Sequence, residues 1–363
     1  MNDLNLQIEE LISKNATDFQ ISKVIKAYYK EYLDSIDTTV ETTGGKDFFI
    51  KHTKHTDKFL ILLYKYILRK NFGSHQPMSS SVPISLIALG SYGREQLCIY
   101  SDIDIMILYE DVKGYNLKSM MEEFITLAWD CGLKLGSRVH ELKEVFDAVK
   151  EDITIKSSIL ESRLIYGSKI VWYRYENTLV NIRKTKQKEF ILEKLEEHKQ
   201  RLLKHPLKME PNIKDGYGGM RESNMMYWMA NVLYGVTNAK ELIDIEFSEE
   251  EYKKYRQALE FIFQVKNALH NIARKKQDQV TFDILPELSS KLGFKNKPRY
   301  TKDRLCMTKI LSCLHIIHSF TATMIKKFTR QTIFEASNIP KLRKLRFKKK
   351  SLYYRWHSIL FIS

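Results

Sequence analysis

Apolar positions follow three regimes along the chain. Over residues 4–35 and 56–71 they recur at helical spacing, as in Leu60, Leu63, Tyr64 and Ile67. The polar stretch between, 35–55, is rich in Thr and Gly and predicts a linker whose loosest point is Gly44-Gly45. Two short unbroken apolar runs, Ile84 to Leu89 and Ile103 to Leu108, predict strands, with a Gly-Ser turn and a short helix between them. Leu117 to Cys131 reads as an amphipathic helix and Leu133 to Val139 as a third strand, closed by His140 and Glu141. From Lys143 onward the spacing is helical, over 143–166, 176–204, 219–234, 249–277 and 302–330, with stripes such as Leu259, Ile262, Phe263 and Leu269. The one marked interruption is Lys208 to Glu222, which contains Pro211, Gly216, Gly218 and Gly219.

The candidate chemistry lies at the ends of the two apolar runs. Asp102 and Asp104 are two apart, so on a strand their carboxylates share a face while Ile103 and Ile105 take the other. Two like charges side by side repel and call for a cation, and Mg2+ suits their hard oxygens. Gly90 lets the backbone approach a ligand, and the first amides of the following helix, with the Ser91 hydroxyl, can point at a phosphate. A nucleoside triphosphate would bridge the two halves, its phosphates on the turn and on metal held by Asp102 and Asp104.

Gly-Ser, a spacer, then Asp-x-Asp on the next strand is the signature of the DNA polymerase β type nucleotidyltransferases. The run Gly90-Ser91-Tyr92-Gly93-Arg94 through Tyr100-Ser101-Asp102-Ile103-Asp104 resembles one branch of it, the bacterial PII signal protein uridylyltransferases. Further stretches agree in order: Glu161-Ser162-Arg163-Leu164 with Gly167, Met209 to Gly216 with Gly218-Gly219-Met220-Arg221-Glu222, Asn267-Ala268-Leu269-His270, Thr281-Phe282-Asp283 and Pro286-Glu287. The resemblance covers roughly Phe59 to Arg346. It implies an α/β nucleotidyltransferase domain with a small mixed sheet plus an all-α helical domain. The expected divisions are a helical lead-in at 1–72, the catalytic core at 73–142, the helical domain at 143–335 and a basic tail at 336–363.

The resemblance implies Mg2+-dependent transfer of UMP from UTP to a tyrosine of the PII protein, with Asp102 and Asp104 catalytic and metal-binding. Gly90, Ser91 and Arg94 are expected at the triphosphate. The base preference is not written in these residues, and another nucleotide or acceptor, or a non-catalytic binding remnant, stays open. For the glycine loop flanked by Lys214 and Arg221 two readings compete: an elbow between helices, or a basic loop that closes on the nucleotide. The superfamily often carries a third carboxylate on the third strand, and this strand has none inside it. Glu141 or Asp130 would have to serve, or neither, and a helix-start acid is the plainer role for Glu141. His270 is expected to be a hydrogen-bonded core histidine rather than a ligand.

Two departures from the family pattern stand out. Arg94 is followed by Glu95-Gln96-Leu97 where relatives read a small or basic residue before Glu-Leu, and Ser91 replaces a frequent second glycine. The His-Asp doublet of the uridylyl-removing domain and the sensor domains of full-length relatives are not found, so those activities are not carried over. Lys341 to Lys350 is strongly basic, and Ser351 to Ser363 lacks periodicity. The expectation is a truncated or frameshifted gene product or, equally, a basic peripheral tail.

Composition narrows the partners. At 363 residues and 44% hydrophobic the chain can bury a sizeable core. Lys plus Arg exceed Asp plus Glu by 59 − 44 = 15, which suits a phosphate-rich ligand or an acidic partner. No nucleic-acid motif accompanies that charge, so no nucleic-acid role is expected. Four scattered cysteines, without Cys-x-x-Cys spacing, point to reduced thiols in a cytoplasm. No apolar run is seen to reach spanning length and the N-terminus is acidic, so no membrane role is expected.

Overall fold

The first element, α1 (Asn2–Ser13), pairs with α2 (Asp18–Asp37) through buried Leu4, Ile8, Ile21 and Ile25, spaced to put one stripe inward. The structure, a computed structural model, describes residues 2–37, 44–73, 77–78, 80–336, 342–347 and 350–355. Helix α3 (Lys46–Phe72) begins ten residues before the periodicity predicts. Its first N–H, at Lys46, donates to the Glu260 carboxylate at 3.0 and 3.1 Å. A cap supplied from 214 residues away leaves no local mark, so the predicted linker contains nearly three turns of helix, with Phe48, Phe49, His52 and Thr53 buried. Gly45 is correspondingly crowded, since a Cβ there would collide with Glu260.

Then come β1 (Ile84–Ala88), the single turn α4 (Gly90–Gly93), β2 (Ile103–Tyr109), α5 (Leu117–Asp130) and β3 (Leu135–Glu141). The segment read as continuous helix from 143 to 166 is two short helices, α6 (Val145–Glu151) and α7 (Ile153–Ile159), and a fourth strand, β4 (Arg163–Gly167). Every residue of β4 except Gly167 is half-buried, so it has no alternating pattern to read. Its extended form comes from antiparallel pairing to β1, Ser85 against Gly167 and Ala88 against Arg163.

The sheet is small and mixed, in the order β3-β2-β1-β4, with β2 and β3 parallel and the other pairs antiparallel. Ile103, Ile105 and Ile107 of β2 join Leu86 and Ala88 of β1 in a core with α1, α2, α3 and α5. Met106 and Leu108 face the other way, into a core with α6, α7 and α8 (Lys169–Lys184). Burial on both faces explains the unbroken apolar reading of β1 and β2.

The rest is mainly helical: α9 (Gln187–Lys204), α10 (Met220–Tyr234), α11 (Glu249–Ala273), α12 (Leu285–Lys291) and α13 (Lys302–Ala336). A two-stranded antiparallel pair, β5 (Leu342–Phe347) with β6 (Lys350–Arg355), lies where an aperiodic basic tail was expected; the remainder of 337–363 falls outside the described residues. Contrary to the expectation of no spanning run, one stretch of α13, Lys302–Thr332, is long and apolar enough to cross a membrane by length and composition, with mean hydropathy 1.3. A third of that stretch is buried within the protein, where Ile310, Leu314, Ile317, Thr321 and Phe328 form one stripe.

By contacts the chain divides into two compact units. The first is 1–182 with 260–308 and the second 183–259 with 309–363.

Candidate active site

Gly90 has φ +56°, a left-handed conformation that a side chain resists, and it opens the one-turn helix α4 directly at the end of β1. The space a Cβ would fill there borders Asp104 Oδ2 at 3.5 Å and Glu161 Oε2 at 3.9 Å. The Gly-Ser turn and the Asp-x-Asp strand are therefore one site, closed by the Leu89 N–H donating to the Asp104 carbonyl at 2.9 Å. Asp104 is exposed while its strand neighbours Ile103 and Ile105 are buried, so the alternation read from the sequence holds. Tyr92, between them in α4, is fully buried and donates to Asp57 of α3 at 2.5 Å. Asp57 also accepts both ends of the Arg163 guanidinium from β4, at 2.9 and 3.1 Å. This braced network fixes the turn from behind.

Arg94 reaches the same site, but its guanidinium pairs with Glu161, whose carboxylate is almost wholly buried. Its Nε also donates to Gln96 at 3.2 Å. Asp102 meets a partner that the sequence reading did not single out: Lys276 Nζ lies 2.9 Å from Asp102 Oδ2. That hydrogen bond raises the lysine above its ordinary range, and Asp278 and Asp104 nearby add to the shift. Lys276 follows α11, whose His270 is fully buried and donates from Nδ1 to the Ile99 carbonyl at 2.6 Å. Burial alone would lower that imidazole, yet Cys98 and Asp278 beside it raise it to about 9. His270 is thus the hydrogen-bonded core histidine expected of it, and it anchors the approach to β2.

Glu141 stands opposite Tyr109 at the far end of β3 and pairs with Lys143 at 2.7 Å, whereas Asp104 is opposite Gly136. It brings no third carboxylate to Asp102 and Asp104. Among the described residues there is no group of three or more His, Cys, Asp or Glu side chains arranged to hold a metal ion. Two exposed carboxylates beside a glycine-lined space still fit Mg2+, which commonly takes one or two protein carboxylates and completes its shell with water and substrate phosphate.

Lys214 and Arg221 belong to the second unit. Asn212 Oδ1 accepts from the N–H groups of Lys214 and Asp215 at 2.9 and 2.7 Å, and Arg221 Nε pairs with Asp215 at 3.4 Å. Gly218, at φ +67°, packs so closely on the Leu314 carbonyl that a Cβ would collide with it. Glu222, 1% exposed, accepts from the Gly218 N–H, from Thr321 and from His318. The glycine loop is thereby tied to α10 and α13.

Residues 189–325 match the family model of the GlnD PII-uridylyltransferases. Proteins named bifunctional uridylyltransferase/uridylyl-removing enzyme align over a larger part of the chain. The one from Novosphingobium aromaticivorans is 31% identical over 250 residues, 67% of this chain and 27% of its own length. The chain is a relative of the PII-uridylyltransferases. The enzyme of that name from Pseudoalteromonas translucida is 28% identical over 276 residues, 75% of this chain and 31% of its own, and the one from Stutzerimonas stutzeri 30% over 265 residues, 71% and 29%. The chain therefore spans under a third of the length of these uridylyltransferases. The family model includes Lys214, Arg221, His270 and Lys276 but not Asp102 and Asp104.

Proposed function

We propose that the chain is a nucleotidyltransferase that moves UMP from UTP to a tyrosine of the PII signal protein. The observation that carries the reading is the approach of Gly90, in the Gly-Ser turn at the end of β1, to the Asp104 carboxylate of β2. Asp102 and Asp104 would hold Mg2+, which supplies positive charge to the triphosphate and favours attack at the α-phosphorus. Gly90 and Ser91 cradle the phosphates, and Arg94 holds the turn through Glu161. The tyrosine oxygen forms the new bond to the α-phosphorus as the bond to the bridging oxygen breaks. Pyrophosphate leaves with that electron pair, and the phenolic proton passes to solvent. The setting is cytoplasmic, as four free thiols suggest.

The test is incubation with labelled UTP or labelled ATP, Mg2+ and the PII protein of the same organism. Label is expected on PII from UTP and to fall at least a hundredfold in Asp102→Asn/Asp104→Asn, about 3 kcal/mol or more of transition-state stabilisation. Transfer from ATP alone, or none from a folded chain, would sink the reading.

A further inference from the structure

β3 is an edge strand, and among the described residues no strand pairs with its outer side. The phase of its inner ladder is fixed at both ends, by the Ile103 N–H donating to the Lys134 carbonyl and the Leu142 N–H to the Tyr109 carbonyl, each at 2.9 Å. In a parallel ladder alternate residues bond to one side, so the even-numbered residues of β3 face β2 and the odd-numbered ones turn outward. The Leu135 carbonyl accordingly accepts from the Trp129 indole on the outer side, at 3.4 Å. Ser137 and Val139 then present their N–H and C=O groups outward along the rest of the edge.

The face of this edge is equally specific. Lys134, Gly136 and Arg138 alternate onto one side and are all exposed, and Gly136 is the residue paired with Asp104. A Cβ on Gly136 would come within 2.8 Å of Asp104 Oδ1. Glycine therefore leaves a gap across β3 that leads from the outer edge to the Asp104 carboxylate, with a cationic side chain two residues to either side. A strand added outside β3 would lie about 10 Å from β2, two strand spacings away. Tyrosine is the hydroxyl side chain long enough to cover most of that span; serine and threonine fall well short.

We propose that the outer edge of β3 receives an extended acceptor segment as an added strand, its tyrosine opposite Gly136 and acidic residues opposite Lys134 and Arg138. The inference rests on the nucleotidyl-transfer reading of Asp102 and Asp104, and it names the shape and charge of the acceptor. Main-chain bonds to Ser137 and Val139 supply register, and the flanking charges supply selectivity.

Amide hydrogen exchange reads the docking without turnover. With PII at saturating concentration and an unreactive α,β-methylene analogue of UTP, exchange at Ser137 and Val139 should slow at least tenfold. Unchanged exchange at both overturns the proposal. Val139→Pro removes an outward N–H and spares the inner ladder, and should cut transfer to PII at least tenfold, with UTP affinity as the check on folding. Lys134→Glu/Arg138→Glu leaves the backbone intact and should raise KM for PII at least fivefold with a smaller effect on kcat. Transfer that is normal in both variants overturns the docking and leaves the transfer reading standing. Slowed exchange without any transfer supports the docking and sinks the transfer reading.

Discussion

Lys276 shows how one residue can set the behaviour of a site that its own sequence neighbourhood does not announce. Its ion pair with Asp102 is about half exposed on both sides, so it adds little to stability. Its charge nevertheless competes with any cation drawn to that carboxylate. Lys276→Gln is expected to bind Mn2+ several-fold more tightly than the native chain in the absence of nucleotide, measured by titration, with a stability change within about 0.5 kcal/mol. The exposed place of Asp104 between Ile103 and Ile105 was legible because alternation on a strand has a fixed geometric meaning, and Asp102 stands one residue before β2. Lys276 was not, because 174 residues separate it from Asp102 and no local period encodes such a contact. Glu161 is intermediate: its motif was recognisable, and its pairing with Arg94 could be seen only in three dimensions.

At the scale of the element, α3 is the clearest case of tertiary contacts overriding local pattern. Its first turns lie in a stretch of Thr and Gly, yet Glu260 caps them and Phe49 packs on Phe263 at 5.3 Å. The helix also buries His52, whose Nδ1 is 2.9 Å from the Tyr32 hydroxyl. Burial, reinforced by His55, pushes this imidazole down to about 3. A folded value below the unfolded one means that the neutral ring contributes stability above about pH 6.5, and that this is lost as pH falls toward 3. Denaturant titrations at pH 7 and pH 5 should differ by on the order of 2 kcal/mol through this group, and His52→Phe should flatten that slope. The strands β1 and β2 were readable because both faces are buried. β4 was not, since its pairing to β1, and nothing in its own half-buried residues, makes it extended.

For the whole molecule, the net charge of +15 is a property of association before it is one of fold. If the acceptor segment is acidic, transfer at limiting acceptor should fall several-fold between about 50 mM and about 300 mM salt, while kcat at saturation changes little. A stopped assay across that range decides it. The linear order of motifs was legible from end to end, but not the way the chain is shared out: 260–308 joins the first unit after 183–259 has been given to the second. Synthesis on the ribosome therefore delivers Asp102 and Asp104 roughly 170 residues before the segment that carries His270 and Lys276, and at about 5–20 residues per second that is a wait of the order of ten seconds or more. Throughout that interval the nascent sheet must persist without its anchor at Ile99, which makes this stretch of translation the period in which a chaperone or a protease has the most to act on.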